Sequence, residues 1–310
     1  IDKEEAPYLK VLMVDEAQDL TPLQWKMIYK LAQRADRIYV AGDDDQAIFE
    51  WNGAEVRNYL GFPGRTHILT QSFRLPQIIH DFSGYISSMI KPRVDKKFVA
   101  SAQPGSIQTH ARFKDIVEQM RERKGTWLIL GRTQELVREL EGFARMHGVF
   151  FQNTKGKHSF DLNKWNAIQY WKRLKEGGTV KKEEAGVIYT YINEIAYGWR
   201  SIESKRWKSL ADDKTYSLDF LRSFGGLSAK PYKWQQVFNR NFPESDKQYF
   251  EKIIEKNIDL SLASNIVIDT IHSIKGGEAQ HVCVYEKANW PAHFENKVGL
   301  ARSSESRVWY

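Results

Sequence analysis

The chain has 310 residues, 42% hydrophobic and 27% charged, with a net charge of +7 and Cys283 as its lone cysteine. That length accommodates two domains and a small third, no apolar run approaches the roughly 20 residues that span a bilayer, and no charged-then-apolar leader opens the sequence. A lone cysteine excludes an internal disulfide and fits a reducing compartment, while the positive charge points toward a polyanionic partner such as nucleic acid.

The first 65 or so residues read as α/β. In "VLMVDEAQDL" the stretch Lys10–Val14 has the pattern of a buried strand that delivers Asp15 and Glu16 to its carboxyl end. Pro22 to Arg34 has helical periodicity, with Thr21 as N-cap and Pro22 at the first position. "RIYVAGD" reads as a second buried strand ending in carboxylates, and "HILTQSFRLPQIIHDFSGYISSMI" as a short strand with a helix restarting near Pro76. "SIQTHARF" and "TWLILGR" look like strands, with helical "DIVEQMRER" between them. "TQELVRELEGFARMHG" is an amphipathic helix closed by Gly148, and "VFFQN" is strand-like. This alternation predicts a mostly parallel, doubly wound sheet.

From about 160 to 262 the strand signals fade, Lys and Trp rise, and helical stretches dominate: "KWNAIQYWKRLKEG", "EEAGVIYTYINEIAYGW" and "DKQYFEKIIEKNI". This segment reads as a helical insertion. At "NIVIDTIHSIKGGEAQHVCVY" the strand-loop-strand grammar returns, as though the chain re-enters an interrupted sheet.

An Asp-Glu pair at the end of a buried strand is the arrangement in which nucleotide hydrolases hold Mg²⁺ with the Asp and orient the attacking water with the Glu. Acidic pairs after strands are also common without function. "VAGDDDQAIFEWNGA" adds three aspartates, Gln46, and the aromatics Phe49 and Trp51. A neutral amide near a γ-phosphate reports its presence without adding charge, and an aromatic pair stacks on bases. The plainer reading is an acidic turn followed by a core Phe and Trp. The ten Trp, fourteen Tyr and sixteen Phe, several beside Lys or Arg, suit single-stranded nucleic acid, though core and rim placement explains most of them equally well.

In this order, "VDEAQD", "AGDDDQAIFEWNGA" and "LTQSFR" resemble motifs II, III and IV of the superfamily-one UvrD/Rep-like DNA helicases, and "IDTIHSIKGGEA" resembles motif V. The resemblance implies two RecA-like parallel-sheet domains, the first incomplete, with a helical insertion in the second. Residues 1–65 would end the first domain, 66–160 form the first segment of the second, 161–262 form the insertion, and 263–310 form the second segment of the second, with motif V. It implies ATP and Mg²⁺ as cofactors. Asp15 would be the Mg²⁺ ligand, Glu16 the water-positioning residue, Gln46 the γ-phosphate sensor, and Arg74 a γ-phosphate contact. Phe73 would stack on adenine where the family usually has Tyr, and Glu278 would accept a hydrogen bond from the ribose. Phe49 and Trp51 would stack on DNA bases; Thr270 and His272 would touch the DNA backbone. The sequence departs from the family at Gly277 and Ala279, which replace bulkier apolar residues and suggest a smaller or looser packing there, and at Ser72, where Asn is usual.

The Gly-Lys pair at Gly156-Lys157 is followed by His158 and lacks the earlier Gly, Phe151 standing in its place. The phosphate-cradling loop G-x-x-x-x-G-K-[ST] is therefore absent from these residues. In the family it lies upstream of motif II, so the chain reads as part of a larger enzyme. Val298-Gly299-Leu300-Ala301-Arg302 resembles motif VI, with Arg302 as a second phosphate arginine. The favoured reading, however, is that "SSESRVWY" is the lead-in to the true motif beyond Tyr310, because the usual gap after motif V is longer than the Arg302 register allows. The basic cluster Trp199-Arg200 to Trp207-Lys208 suits either duplex DNA or a solvated face.

The resemblance implies part of an ATP-dependent DNA helicase that moves 3′ to 5′ along single-stranded DNA, acts at DNA junctions, and works as a monomer in the cytoplasm of a bacterial or phage-infected cell. The fragment itself is expected to be inactive in ATP hydrolysis. The alternative is a non-catalytic nucleic-acid-binding or interaction module of helicase-like shape. A helicase-nuclease would need a further domain.

Overall fold

The computed structural model describes residues 6–192, 210–225, 232–260, 263–285 and 307. It has two units, one of Ile1–Thr109 and Lys287–Tyr310, the other of His110–Glu286.

In the first unit, β1 (Leu9–Val14) and β2 (Ala35–Val40) pair in parallel, in register from Leu9 opposite Ala35 to Val14 opposite Val40. Between them runs α1 (Pro22–Ala32), whose start follows the sequence closely. The Thr21 side chain accepts from the Gln24 N–H, the Gln24 side chain accepts from the Thr21 N–H, and Pro22 occupies the first turn. Val14, Ala17, Trp25 and Ile28 form a small core, flanked by Leu12, Val40, Tyr59 and Phe62. The two strands are not buried on both faces, as their apolar runs suggest. Alternation puts Leu12 and Val14 inward, while Val11, Met13 and Tyr39 are exposed.

A short helix, α2 (Val56–Leu60), follows, then β3 (Gln71–Pro76), α3 (Gln77–Ser87) and β4 (Val99–Ser101). The β3–β4 pairing is also parallel, with an irregular register between Gln71 and Pro76.

The second unit is built on β5 (Trp127–Gly131), every residue of which is buried. It lies between two parallel neighbours, β8 (Ile266–Thr270) and β9 (His281–Tyr285). Thus the segment at 266–285 pairs with a strand some 140 residues earlier, the re-entry that the sequence predicts. The helix α4 (Phe113–Glu122) precedes β5, and α5 (Gln134–Met146) follows it with Thr133 as N-cap. Ile129, Val137, Leu140, Ala144, Phe151 and Ile268 make the core between sheet and helices. Gly148, at φ 61°, ends α5. The ammonium groups of Lys252 and Lys256 donate to the Met146 and His147 carbonyls, satisfying acceptors that the helix end leaves open.

Two strand expectations are not met. "SIQTHARF" forms no strand: Ile107 remains half-exposed, so its alternation has no buried face, and α4 begins within the segment at Phe113. In "VFFQN" only Gln152 makes bridges, to Val267 and His158. The parallel hand is as expected, but among the described residues it is distributed over separate sheets of two, two and three strands rather than one doubly wound sheet.

The region from Leu162 to Glu255 is mainly helical: α6 (Leu162–Lys175), α7 (Lys182–Thr190), α8 (Leu218–Gly225), α9 (Trp234–Val237) and α10 (Glu244–Glu255). It also contains an antiparallel pair, β6 (Thr179–Lys181) and β7 (Thr215–Ser217), too short for alternation to reveal in sequence. Its core uses the aromatics: Trp171, Tyr191, Tyr216, Trp234, Phe238, Phe242 and Phe250. Arg145 of α5 donates to Asp246 of α10 and lies over the Tyr249 ring at 4.5 Å, tying this helical region to the α/β core.

Ile129→Ala should lower the stability of the second unit by about 2–5 kcal/mol, because the removed methylenes leave a cavity at the centre of the sheet. A fall in the denaturant midpoint followed by circular dichroism would show it.

Candidate functional site

Parallel pairing of β1 and β2 brings their carboxyl ends to one edge, and the acidic sequences emerge there together. The Ala41 N–H donates to the Val14 carbonyl at 2.8 Å, and the Ala17 N–H to the Ala41 carbonyl at 3.0 Å, so the two loops run as a pair. Asp15 and Glu16 are both exposed. Glu16 adopts the left-handed backbone conformation, φ 49° and ψ 40°, which non-glycine residues seldom take and which concentrates at functional sites. Its N–H donates to Asp15 Oδ1 at 2.9 Å.

Gln18 links the two loops. It is fully buried, its Nε2 donates to Glu16 Oε2 at 2.5 Å, and its Oε1 accepts from the Asp43 N–H at 3.2 Å. Asp43 Oδ2 in turn accepts from Gln46 Nε2 at 2.7 Å. A continuous hydrogen-bonded path therefore joins Glu16 to Gln46 through Gln18 and Asp43. Gly42 makes room for it: a Cβ there would stand 2.3 Å from Gln18 Oε1 and 3.2 Å from the Ala17 nitrogen. The Tyr59 hydroxyl donates to the Gly42 carbonyl at 2.8 Å. Burial and the nearby Asp44 raise its pKa, which keeps it a neutral donor.

The three aspartates after Gly42 are met by cations from the segment between α3 and β4. Lys96 Nζ lies 2.6 Å from Asp43 Oδ1, 2.5 Å from Asp44 Oδ1 and 3.1 Å from Asp45 Oδ2. Arg93 grips Asp45 with two parallel bonds, at 2.9 and 2.7 Å. The Val94 N–H donates to Asp44 Oδ2 at 2.8 Å. Burial alone would lower the Lys96 pKa, but Asp43 and Asp44 outweigh it and hold the ammonium well above the ordinary lysine value. Arg307 is also buried: it donates to the Asp44 carbonyl, the Pro92 carbonyl and Glu50 Oε1.

Gln18, Arg93, Lys96 and Arg307 were not legible as site residues from sequence. One signal did point to partners of their kind, since three successive aspartates at the end of a half-buried strand require nearby cations; nothing in the sequence said which cations.

Phe49 and Trp51 lie beyond the acidic turn, ring centres 6.4 Å apart and planes inclined at 55°. Phe49 is half-buried, whereas Trp51 is 73% exposed. The left-handed Gly53, φ 86°, ends the short turn that carries Trp51. Among the other described tryptophans, Trp25, Trp127, Trp171 and Trp234 are buried and Trp165 packs against the core of the helical region. Phe73, 81% exposed, and Arg74, also exposed, stand side by side on β3.

Thr270, His272 and Glu278 belong to the second unit. Thr270 ends β8 and is buried; its Oγ1 is 2.7 Å from Ser273 Oγ and accepts from the Ser273 N–H at 3.2 Å. This fixes the turn His272–Ile274, in which His272 is half-buried. Glu278 is exposed before β9. Gly277 is closely packed rather than loose, because a Cβ would fall 2.9 Å from both Ile274 Cγ1 and the Ile274 carbonyl oxygen. Asp269, next to Thr270, accepts from Thr154 Oγ1 at 2.6 Å, the Thr154 N–H at 3.1 Å and the Thr270 N–H at 2.7 Å. Arg302 and the basic cluster 199–208 lie outside the described residues.

Among the described residues no group of three or more His, Cys, Asp or Glu forms a metal cage. The exposed Asp15 suits Mg²⁺ nonetheless, since that ion typically takes one or two carboxylates and completes its shell with phosphate and water.

Residues 3–67 match the family described as UvrD/REP helicase N-terminal domain. The chain is 31% identical over 239 residues to the ATP-dependent DNA helicase PcrA of Leuconostoc citreum, covering 71% of this chain and 31% of that protein. It is 32% identical over 113 residues to DNA helicase II of Escherichia coli (strain K12), covering 34% and 16%. It is 32% identical over 104 residues to the ATP-dependent DNA helicase Rep of Buchnera aphidicola subsp. Baizongia pistaciae, covering 32% and 16%. The matched part spans a third or less of each of these relatives.

Two consequences of this geometry are measurable. Gly42→Ala should displace the Gln18 amide and destabilise the first unit by about 1–3 kcal/mol, seen as a lowered denaturation midpoint. Burial alone would raise the Asp269 pKa, but its hydrogen bonds outweigh burial and hold it below the ordinary carboxylate value. A depressed folded pKa contributes stability above the unfolded value, which is lost as pH falls through the folded one. Asp269→Asn should therefore cost stability at neutral pH, and in pH-dependent melts the gap from the parent chain should start to narrow only below about pH 4, the ordinary carboxylate value, and close as pH passes the depressed folded value.

Proposed function

This chain belongs to the UvrD/Rep-like helicases, and on that premise we propose that it is the central and C-terminal part of an ATP-dependent helicase that moves along single-stranded DNA. In this reading residues 1–65 end a first RecA-like domain, 66–160 and 263–310 make a second, and 161–262 are an accessory insertion. Movement is 3′ to 5′ and leads to duplex unwinding. The protein acts on single strands and junctions, as a monomer in the cytoplasm.

The observation that carries this reading is the hydrogen-bonded path Glu16–Gln18–Asp43–Gln46. It joins a water-positioning carboxylate to a phosphate-sensing amide at the shared edge of two parallel strands, where α/β sheets bind their ligands. Asp15 would hold Mg²⁺, which when bound neutralises charge on the phosphates. Glu16, fixed in orientation by Gln18, would place the attacking water. Gln46 is exposed and gives one Nε2 hydrogen to Asp43; its second Nε2 hydrogen would donate to a phosphate oxygen. Arg74 would add positive charge to the transferring group, Phe73 would stack on the adenine, and Glu278 would accept from the ribose.

On the DNA side, Trp51 and Phe49 are the stacking pair. The exposure of Trp51 supports this, since a core role would bury the largest of side chains. His272 would meet the DNA backbone, with the buried Thr270 contributing through the turn it fixes.

Because the 310 residues contain no G-x-x-x-x-G-K-[ST], the chain alone should bind single-stranded DNA in a salt-sensitive manner yet hydrolyse ATP negligibly. Trp51→Ala should weaken that binding by about 1–3 kcal/mol, measured by fluorescence anisotropy of a labelled oligonucleotide. The native gene product should hydrolyse ATP with stimulation by single-stranded DNA. DNA binding by a native product that never hydrolyses ATP would instead support a non-catalytic module of helicase-like shape.

A further inference from the structure

We propose that Lys96 is a positioning residue for Gln46, acting through Asp43. This rests on the reading of Gln46 as the phosphate-sensing amide.

Asp43 is the shared member of two arrangements. Its Oδ2 fixes the Gln46 side chain, and its backbone N–H is fixed by Gln18. Its Oδ1 accepts from the Asp45 N–H at 3.2 Å and from Lys96 Nζ at 2.6 Å. The carboxylate plane is thus set on one side by Lys96 and used on the other by Gln46. Lys96 is well suited to such a role. Its side chain is only 8% exposed, and it meets three carboxylates at once, so its head group has one geometry available. Arg93, by contrast, pairs with Asp45 through both its bonds to the acidic turn and does not reach Asp43 in those contacts. The two cations therefore serve different purposes: Arg93 neutralises the base of the turn, and Lys96 orients the carboxylate that holds the amide.

The segment bearing Lys96 follows β3 and α3 without interruption, and β3 carries Arg74. Lys96 thus connects the sensing amide to the same strand-helix unit that presents the proposed phosphate arginine. A neutral residue at 96 would free Asp43 to rotate toward solvent, and Gln46 would lose the acceptor that fixes its amide.

The test uses the 310-residue chain labelled with ¹⁵N-glutamine, with the Gln46 side-chain signal identified by its loss in Gln46→Glu. In the parent chain the Gln46 amide should be displaced from the solvent-exposed glutamine position. Lys96→Met should return it there, and Arg93→Gln should leave it in place. Lys96→Arg keeps the charge, and so the fold, but a planar fork cannot reproduce contacts made by a point charge. It should also move the signal, and it decides the matter if Lys96→Met does not fold. An unmoved Gln46 signal in Lys96→Arg and in any folded Lys96→Met, or an equal displacement in Arg93→Gln, would overturn the proposal.

In the native gene product, Lys96→Arg should lower kcat by about tenfold or more with little change in KM for ATP. A native product without DNA-stimulated hydrolysis would defeat the helicase reading, and the Gln46 signal would still decide the role of Lys96.

Discussion

Three consecutive carboxylates at the end of a half-buried strand impose the central constraint on the first unit. Like charges about 4 Å apart repel by on the order of 4 kcal/mol at an effective dielectric near 20. Asp44 and Asp45 are nevertheless buried. The compensation comes from Lys96 and Arg93, with Arg307 nearby on Glu50 and the Asp44 carbonyl. Removing one partner of such a buried group typically costs 3–5 kcal/mol, far more than a surface pair contributes. The segment after α3 is therefore fixed against the acidic turn by charge, and the turn acquires a single geometry in return. Apolar residues of similar volume would hold these segments together at less desolvation cost, but would offer Gln46 no acceptor.

A second device works at much shorter range. Gln18 occupies the space that a side chain at residue 42 would need, and spends both ends of its amide on the two loops. The glycine and the buried amide are complementary parts of one contact. Their effect is to hold Glu16 in a left-handed backbone conformation that most residues avoid. Such strain persists where the surroundings over-determine it. The paired loops, the amide and the glycine supply that over-determination within a few residues of chain.

Local rules made a good part of this legible beforehand. The start of α1 follows from Thr21, Pro22 and Gln24, and the end of α5 from Gly148, because caps are contacts within a turn or two. For β8 and β9 the sequence shows only a return of strand grammar; that they join β5 depends on contacts across more than a hundred residues. The apolar runs of β1 and β2 suggest more burial than the strands have, because an apolar run does not reveal how many faces its neighbours cover. Among the candidate site residues, Asp15 and Glu16 declare themselves by position at a strand end, and Gln46 by its place in the acidic turn that follows the next strand. Lys96 does not: it sits in the basic stretch "KPRVDKK", which by composition is an ordinary solvated loop. Its role arises only when the fold brings it to Asp43. The same holds for Gln18, whose importance depends on the empty space at Gly42.

The abundance of aromatics illustrates the opposite difficulty, a signal too plentiful to localise anything. In the helical region these rings form a mutually packed core, as with Phe238 and Phe242, 5.6 Å apart and nearly parallel, beside Trp171, Trp234 and Phe250. For these described rings core placement is sufficient, so they carry no argument for nucleic acid. Trp51 differs because a structure that buries Trp25, Trp127, Trp171 and Trp234 leaves this one out. Its exposure is also maintained, by a short turn closed at a left-handed glycine and by a neighbouring Phe49 that is half-buried and anchors the pair. A large apolar ring kept in water costs hydrophobic free energy, and a base stacked on its face recovers it. The nucleic-acid reading therefore rests on this one ring and its support, and Gln46, the proposed phosphate sensor, stands only five residues before it in the same loop.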